Sequence, residues 1–193
     1  SSDLGMRKVV QTEAYQRIER APCFVVCIGG YLDRFDILYK EDNTIKDSKE
    51  VRSYLQSKKK KLFSYEIFEN LDLSKGNYEE LEFQFSSFVG CNFTQSSWNK
   101  SHLLFSNLQN TMLKNTKMEK MKIFDTDFSG ATLEQVDFAG AKIKHVSFAG
   151  AKLIQVDFSK VLLAEEINFQ DAQIVDCKFP EEVGSGLLYH ENR

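Results

Sequence analysis

From Leu73 onward a large apolar residue stands at every fifth position: Leu73, Tyr78, Phe83, Phe88, Phe93, Trp98, Leu103, Leu108, Leu113, Met118, Ile123, Phe128, Leu133, Phe138, Ile143, Phe148, Leu153, Phe158 and Leu163. At 42% apolar content, nineteen hits in one register have a chance probability on the order of 10⁻⁷. A helix repeats every 3.6 residues and a strand every 2, so neither asks for this spacing. Two residues before each large position lies a small or apolar one, as at Cys91, Ser96, Thr111, Ala131, Val136, Ala141, Val146 and Ala151. The remaining positions are mostly polar, so the pattern predicts two inward side chains in every five. After Leu163 the register slips by one, and Phe169, Ile174 and Phe179 carry it on. One inserted residue near Ala164 to Glu166 reads as a bulge or a widened corner.

A short fixed repeat over a hundred residues marks a solenoid, in which each unit buries its apolar side only against its neighbours. The triplets A-K-L, V-D-F, A-T-L, V-S-F and C-N-F resemble the pentapeptide-repeat family, whose loose consensus is a small residue, then Asp or Asn, then Leu or Phe, then two variable residues. The match covers about residues 71–180. The resemblance implies an all-β solenoid, a right-handed quadrilateral β-helix of about 22 repeats, with five residues to a side and twenty to a coil. That is about 5.5 coils and a tower of about 26 Å at the usual inter-strand spacing. Steps of twenty then sort the core into internal ladders, Tyr78, Trp98, Met118, Phe138 and Phe158 in one and Phe88, Leu108, Phe128 and Phe148 in another. With Phe83, Phe93, Leu133, Ile143 and Leu153 these form the predicted core. The family's Asp or Asn is replaced by His102, Met112, Lys117 and Lys122, so the coils between Leu103 and Ile123 are expected to be less regular.

The flanks do not follow the repeat. Residues 1–62 read as a small α+β cap: a helix over Arg7 to Arg20, strands over Cys23 to Ile28 and Tyr31 to Tyr39 joined at Gly29-Gly30, and a second helix over Ser48 to Lys59 capped by Asp47 or Ser48. The repeat region is 63–180, with Phe63 and Phe68 extending its register. Residues 181–193 form a tail whose Leu187, Leu188 and Tyr189 could cover the far end or meet a second copy, since family members often dimerise there. Ser1 to Gly5 read as residues ahead of a natural start at Met6.

Charge and candidate chemistry narrow the function classes. With 25 basic and 28 acidic residues the net charge is −3, which argues against binding to nucleic acid or membrane driven by bulk charge. Four cysteines, Cys23, Cys27, Cys91 and Cys177, lack metal or redox spacing and suit a reducing compartment, and the run CFVVCIGG is too short to span a bilayer. The chain is therefore expected in the cytoplasm. Cys91 and Cys177 fall in the small inward column, and Cys23 with Cys27 on one side of a strand reads first as packing and second as a metal pair. His102, His145 and His190 are scattered, with His102 and His145 in outward columns as solvated imidazoles. No phosphate loop, nucleophile elbow or metal motif occurs. No catalytic, cofactor-binding or metal residue is predicted, and no cofactor. Lys58 to Lys61 reads as a solvated helix end ahead of a localisation signal.

The expected role is that of a non-enzymatic scaffold that presents flat faces to a protein partner. Its candidate surface is Lys114, Lys117, Lys120, Lys122, Glu134, Lys142, Lys144 and His145, the first four lysines forming a basic stripe. The resemblance also implies an alternative, a rod-shaped acidic DNA mimic that modulates DNA gyrase and confers drug resistance. Residues 73–180 carry thirteen acidic and eleven basic side chains, a weak charge for that purpose. A targeting or recognition module beside an effector activity is a third reading, with any enzyme confined to residues 1–62 around Asp33, Arg34 and Asp36.

Overall fold

A chain that must bury two residues in five has to turn between successive large residues, and it can do so repeatedly only by closing a polygon. A computed structural model of the chain describes residues 47–57 and 61–180. The expected first helix, the hairpin, Cys23, Cys27, Asp33, Arg34, Asp36, Lys58 to Lys60, the tail residues and His190 lie outside the described residues.

The repeat closes a four-sided β-helix, each coil stacked in parallel on the one before. On the first side lie β1 (Leu62–Ser64), β2 (Glu82–Gln84), β3 (His102–Leu104), β5 (Lys122–Asp127), β7 (Lys142–Ser147) and β9 (Leu163–Asn168), a parallel sheet of six strands and so six coils. On the third side β4 (Met112–Lys114), β6 (Thr132–Glu134), β8 (Lys152–Ile154) and β10 (Gln173–Val175) form a sheet of four. The second and fourth sides are held by isolated parallel bridges such as Ser87 to Asn107 and Asp137 to Asp157. Partners are one coil apart: Phe83 faces Leu103, and Leu133 faces Leu153. The predicted core residues Phe83, Phe88, Phe93, Trp98, Phe128, Leu133, Phe138, Ile143, Phe148, Leu153 and Phe158 are all buried. Stacking at coil pitch follows: Phe128 on Phe148 at 5.2 Å and Phe138 on Phe158 at 5.0 Å, near-parallel in both cases.

Two kinds of side arise from one residue choice. Where the residue before the large one is Asp or Asn, its side-chain oxygen accepts the backbone N–H two residues on, as Asp127 does from Ser129 and Asp137 from Ala139. That local turn competes with extended pairing and leaves single bridges at Asp72, Asn92, Asp137 and Asp157, while Asp127 still ends strand β5. Where the position holds His102, Met112, Lys122, Thr132, Lys142 or Lys152, no side-chain oxygen takes up that amide and the segment pairs as a strand. The coils from Leu103 to Ile123 are accordingly as regular as the rest, contrary to the expectation. At Lys117 the turn acceptor comes from one coil earlier, with the Glu119 amide donating to Asn99 Oδ1 at 2.9 Å.

Corners fall two residues after each large position, in left-handed backbone. Gly130, Gly140 and Gly150 adopt φ of 69°, 71° and 63°, and many non-glycine corners do the same, among them Asn110, Asp125 and His145. Lys160 is the exception among the described corners. The inserted residue follows it, earlier than the sequence suggested: the twenty-residue register holds through Leu162, after which Leu163 pairs with Lys142 and Ala164 takes the inward place opposite Ile143. The bend is spread over the segment up to Leu162, whose amide donates to Ala141 O at 2.8 Å. Leu163 is thus an outward residue, as is Leu162, 72% exposed.

Helix α1 (Ser48–Gln56) closes the first coil. It buries Val51 and Leu55, and Tyr54 meets Phe63 edge-on at 5.5 Å. Asp47 makes no side-chain cap. The Ser48 hydroxyl instead accepts the Asp72 amide at 2.9 Å, and Arg52 donates to Asp72 O at 2.7 Å. Both groups belong to the first coil and have no coil before them to pair with.

Candidate interaction surface

On a stacked coil, outward side chains line up in columns at coil pitch, so each meets the residue twenty positions away rather than five. The basic stripe expected from Lys114, Lys117, Lys120 and Lys122 is therefore distributed over three sides. Lys114 stands on the third side, where its ammonium pairs with Glu134 of the next coil at 2.8 Å. Lys117 is on the fourth side, Lys120 at the corner between fourth and first, and Lys122 on the first.

Most columns neutralise themselves. Glu80 lies between Lys61 at 3.4 Å and Lys100 at 3.8 Å. Lys144 pairs with Glu165 at 3.0 Å, and that hydrogen bond raises the pKa of its ammonium. The two outward histidines are half-buried and partnered, unlike the solvated imidazoles expected. His145 Nδ1 is 3.0 Å from Asp125 and its Nε2 is 3.4 Å from Glu166, while His102 is 3.5 Å from Glu82. Above Asp125 the same corner column carries Tyr65, Phe85 and Phe105, stacked outside the coil at 5.2 and 5.0 Å.

One edge differs. Lys120, Lys122, Lys142 and Lys160 surround the corner between the fourth and first sides, and among the described residues none has a carboxylate within 4 Å, Lys160 acting on Asp157 only at longer range. Lys122 and Lys142 are direct strand partners, so two like charges sit one coil apart without relief. Sequence reasoning included Lys120, Lys122 and Lys142 but missed Lys160 and Leu162. The signal was available in steps of twenty from Lys120 and Lys122: Lys120, Gly140, Lys160 in one column and Lys122, Lys142 and then Leu162 in the other.

Catalytic arrangements are not assembled on these columns. Among the described residues no group of three or more His, Cys, Asp or Glu is placed to hold a metal, and no helix is long and apolar enough to cross a membrane. Cys91 is buried, its thiol directed at Phe68 O and pushed up to about 12 by burial, which leaves it a packing group.

The family model for the pentapeptide repeat region matches residues 91–169. Residues 91–169 are a pentapeptide repeat region. Among solved structures, trypsin-treated QnrB1, a plasmid-mediated fluoroquinolone resistance protein, matches this chain with a TM-score of 0.54 at 19% identity, covering 62% of this chain and 60% of that one. Rfr23, a pentapeptide repeat protein from the cyanobacterium Cyanothece 51142, matches with a TM-score of 0.52 at 16% identity, covering 68% and 99%. At these identities the likeness is one of fold. No curated protein matches the sequence.

Proposed function

We propose that this protein is a non-enzymatic scaffold that binds a protein partner through its flat, rigid sides. The observation that supports this is the uneven neutralisation of its columns. Lys114, Lys144 and Lys100 have carboxylates within 4 Å, whereas Lys120, Lys122, Lys142 and Lys160 gather at one edge with none among the described residues. Four ammonium groups gathered at one edge without a carboxylate beside them fit a face whose counter-charge arrives with a partner. A cytosolic place suits the free thiols of Cys91 and Cys177.

Affinity capture from native cell extract tests the reading. A discrete protein retained by the folded chain and released by salt is the expected result. Recovery of no protein, together with turnover of a metabolite by the purified chain, overturns it. A DNA mimic acting on gyrase is the second reading, and it draws only on the fold shared with QnrB1. The lysine edge has the wrong sign for that role. Supercoiling assays with purified gyrase should accordingly show neither inhibition nor drug protection.

A further inference from the structure

The lysine edge carries an apolar element that electrostatics alone does not explain. Three successive coils approach the corner in the same register, as Lys120-Met121-Lys122, Gly140-Ala141-Lys142 and Lys160-Val161-Leu162. Backbone bonds fix them side by side: Lys142 N donates to Met121 O, Leu162 N to Ala141 O and Gly140 N to Lys160 O, each at 2.8 Å. Four ammonium groups therefore rim a patch two coils high. Its centre, Gly140, has no side chain, and the Lys120 stem passes close over it, with Cγ 3.1 Å from where a Cβ would stand. At its lower border the inserted residue turns Leu162 outward, 72% exposed. A helical coil can absorb an extra residue anywhere along its outer surface. Here the insertion directly follows the one described corner that leaves left-handed backbone, and it puts a leucine beside four cations with no ion pair among the described residues.

We infer that this edge binds an acidic protein segment carrying one large apolar residue, its carboxylates spread over Lys120, Lys122, Lys142 and Lys160 and its apolar side chain packed on Leu162. The inference rests on the scaffold reading and deepens it. Nucleic acid would satisfy the lysines, but its phosphate backbone has no apolar group to cover Leu162, so the leucine favours protein.

Fluorescence anisotropy with the full chain tests this. The probe is a labelled short peptide of alternating Asp and Glu with one central Phe, compared with the same peptide carrying Ser in place of Phe and with a single-stranded oligonucleotide. The Phe peptide should bind best and weaken as salt is raised. Lys122→Glu with Lys142→Glu should weaken both peptides about tenfold or more. Leu162→Ser should weaken the Phe peptide about tenfold, as loss of one buried leucine contact implies, and leave the Ser peptide unchanged. Lys152→Glu on the third side should change neither. These positions are exposed, and unchanged thermal melts confirm that each variant is folded. Equal binding of the two peptides, equal loss with Lys152→Glu, tighter binding of the oligonucleotide or no binding at all each overturns the assignment. So does self-association in sedimentation that the same variants abolish, since the occupant is then a second copy. Extract capture reports a partner on any side. Capture retained with peptide binding lost thus refutes this edge and leaves the scaffold standing, while capture lost refutes the scaffold.

Discussion

Ser96→Ala should destabilise the protein more than the loss of one hydroxyl suggests, because it strands the indole of Trp98. Trp98 is the only tryptophan and is 1% exposed, packed edge-on against Phe93 at 4.9 Å and beside Tyr78 at 5.0 Å. Its Nε1–H donates to Ser96 Oγ at 3.0 Å, while the Ser96 hydroxyl donates to Phe93 O at 2.7 Å. The Phe93 carbonyl has further donors in Thr116 Oγ1 at 2.9 Å and the Ser96 amide at 3.1 Å, so losing the serine hydroxyl leaves it satisfied. The indole N–H has no such reserve. An unsatisfied buried donor costs about 1–3 kcal/mol, and the lost net hydrogen bond to the carbonyl adds at most about 1 kcal/mol. Ser96→Ala should therefore cost about 2–3 kcal/mol, but only about 1 kcal/mol in a Trp98→Phe background, where the donor is gone. Urea unfolding followed by far-UV circular dichroism on all four proteins gives the coupling directly, expected at about 1–2 kcal/mol. A coupling below about 0.5 kcal/mol would refute the reasoning.

Three further outcomes follow from particular contacts. Hydrogen bonds from Ser159, hydroxyl first and then amide, outweigh partial burial and hold the Asp157 carboxyl below its usual range, with smaller help from Lys178 and Lys160. Because its folded pKa lies below the unfolded value of about 3.9, its contribution is full above that pH and fades as the pH falls through the folded value. The stability deficit of Asp157→Asn should shrink on acidification below about pH 4, and parallel stability curves would count against it. Gly130→Ala should cost more than Gly150→Ala, since a Cβ at Gly130 would lie 2.5 Å from Asn110 Oδ1 while Gly150 faces open space. Trimming Asn110 to alanine should remove the excess, read as a favourable coupling in melts of the double variant. Alkylation at pH 8 should spare Cys91 in the folded chain and modify it in urea, as followed by peptide mass spectrometry; rapid labelling in the folded state would contradict its burial.

The core was legible because burial is a one-bit signal repeated at fixed spacing: Phe128, Phe138 and Phe148 could be placed without knowing a single contact. The insertion was misplaced for the same reason. A count by fives puts Leu163 inward, whereas strand pairing sets Leu163 opposite Lys142 and gives the inward place to Ala164. The departures at His102, Met112 and Lys122 looked like irregularity, yet they mark where a segment pairs as a strand because no side-chain oxygen claims the nearby amide. Surface pairing was least legible. Lys114 with Glu134 and His145 with Asp125 are twenty residues apart, so their relation becomes visible only once the coil length is known. The lysines scattered from 114 to 122 then separate by side, and Lys160 joins the edge from a distance.

The two hydrogen bonds that Ser48 and Arg52 make to Asp72 have a consequence for assembly. Each coil is nearly a translated copy of the one below, so an uncapped upper rim would match the lower rim of any other molecule as well as its own interior matches itself. Such head-to-tail contact has no symmetry that closes it and would propagate as a filament. By occupying the Asp72 amide and carbonyl with side chains from a helix, the chain ends its own translation at that rim, and a growing fibre finds no template there.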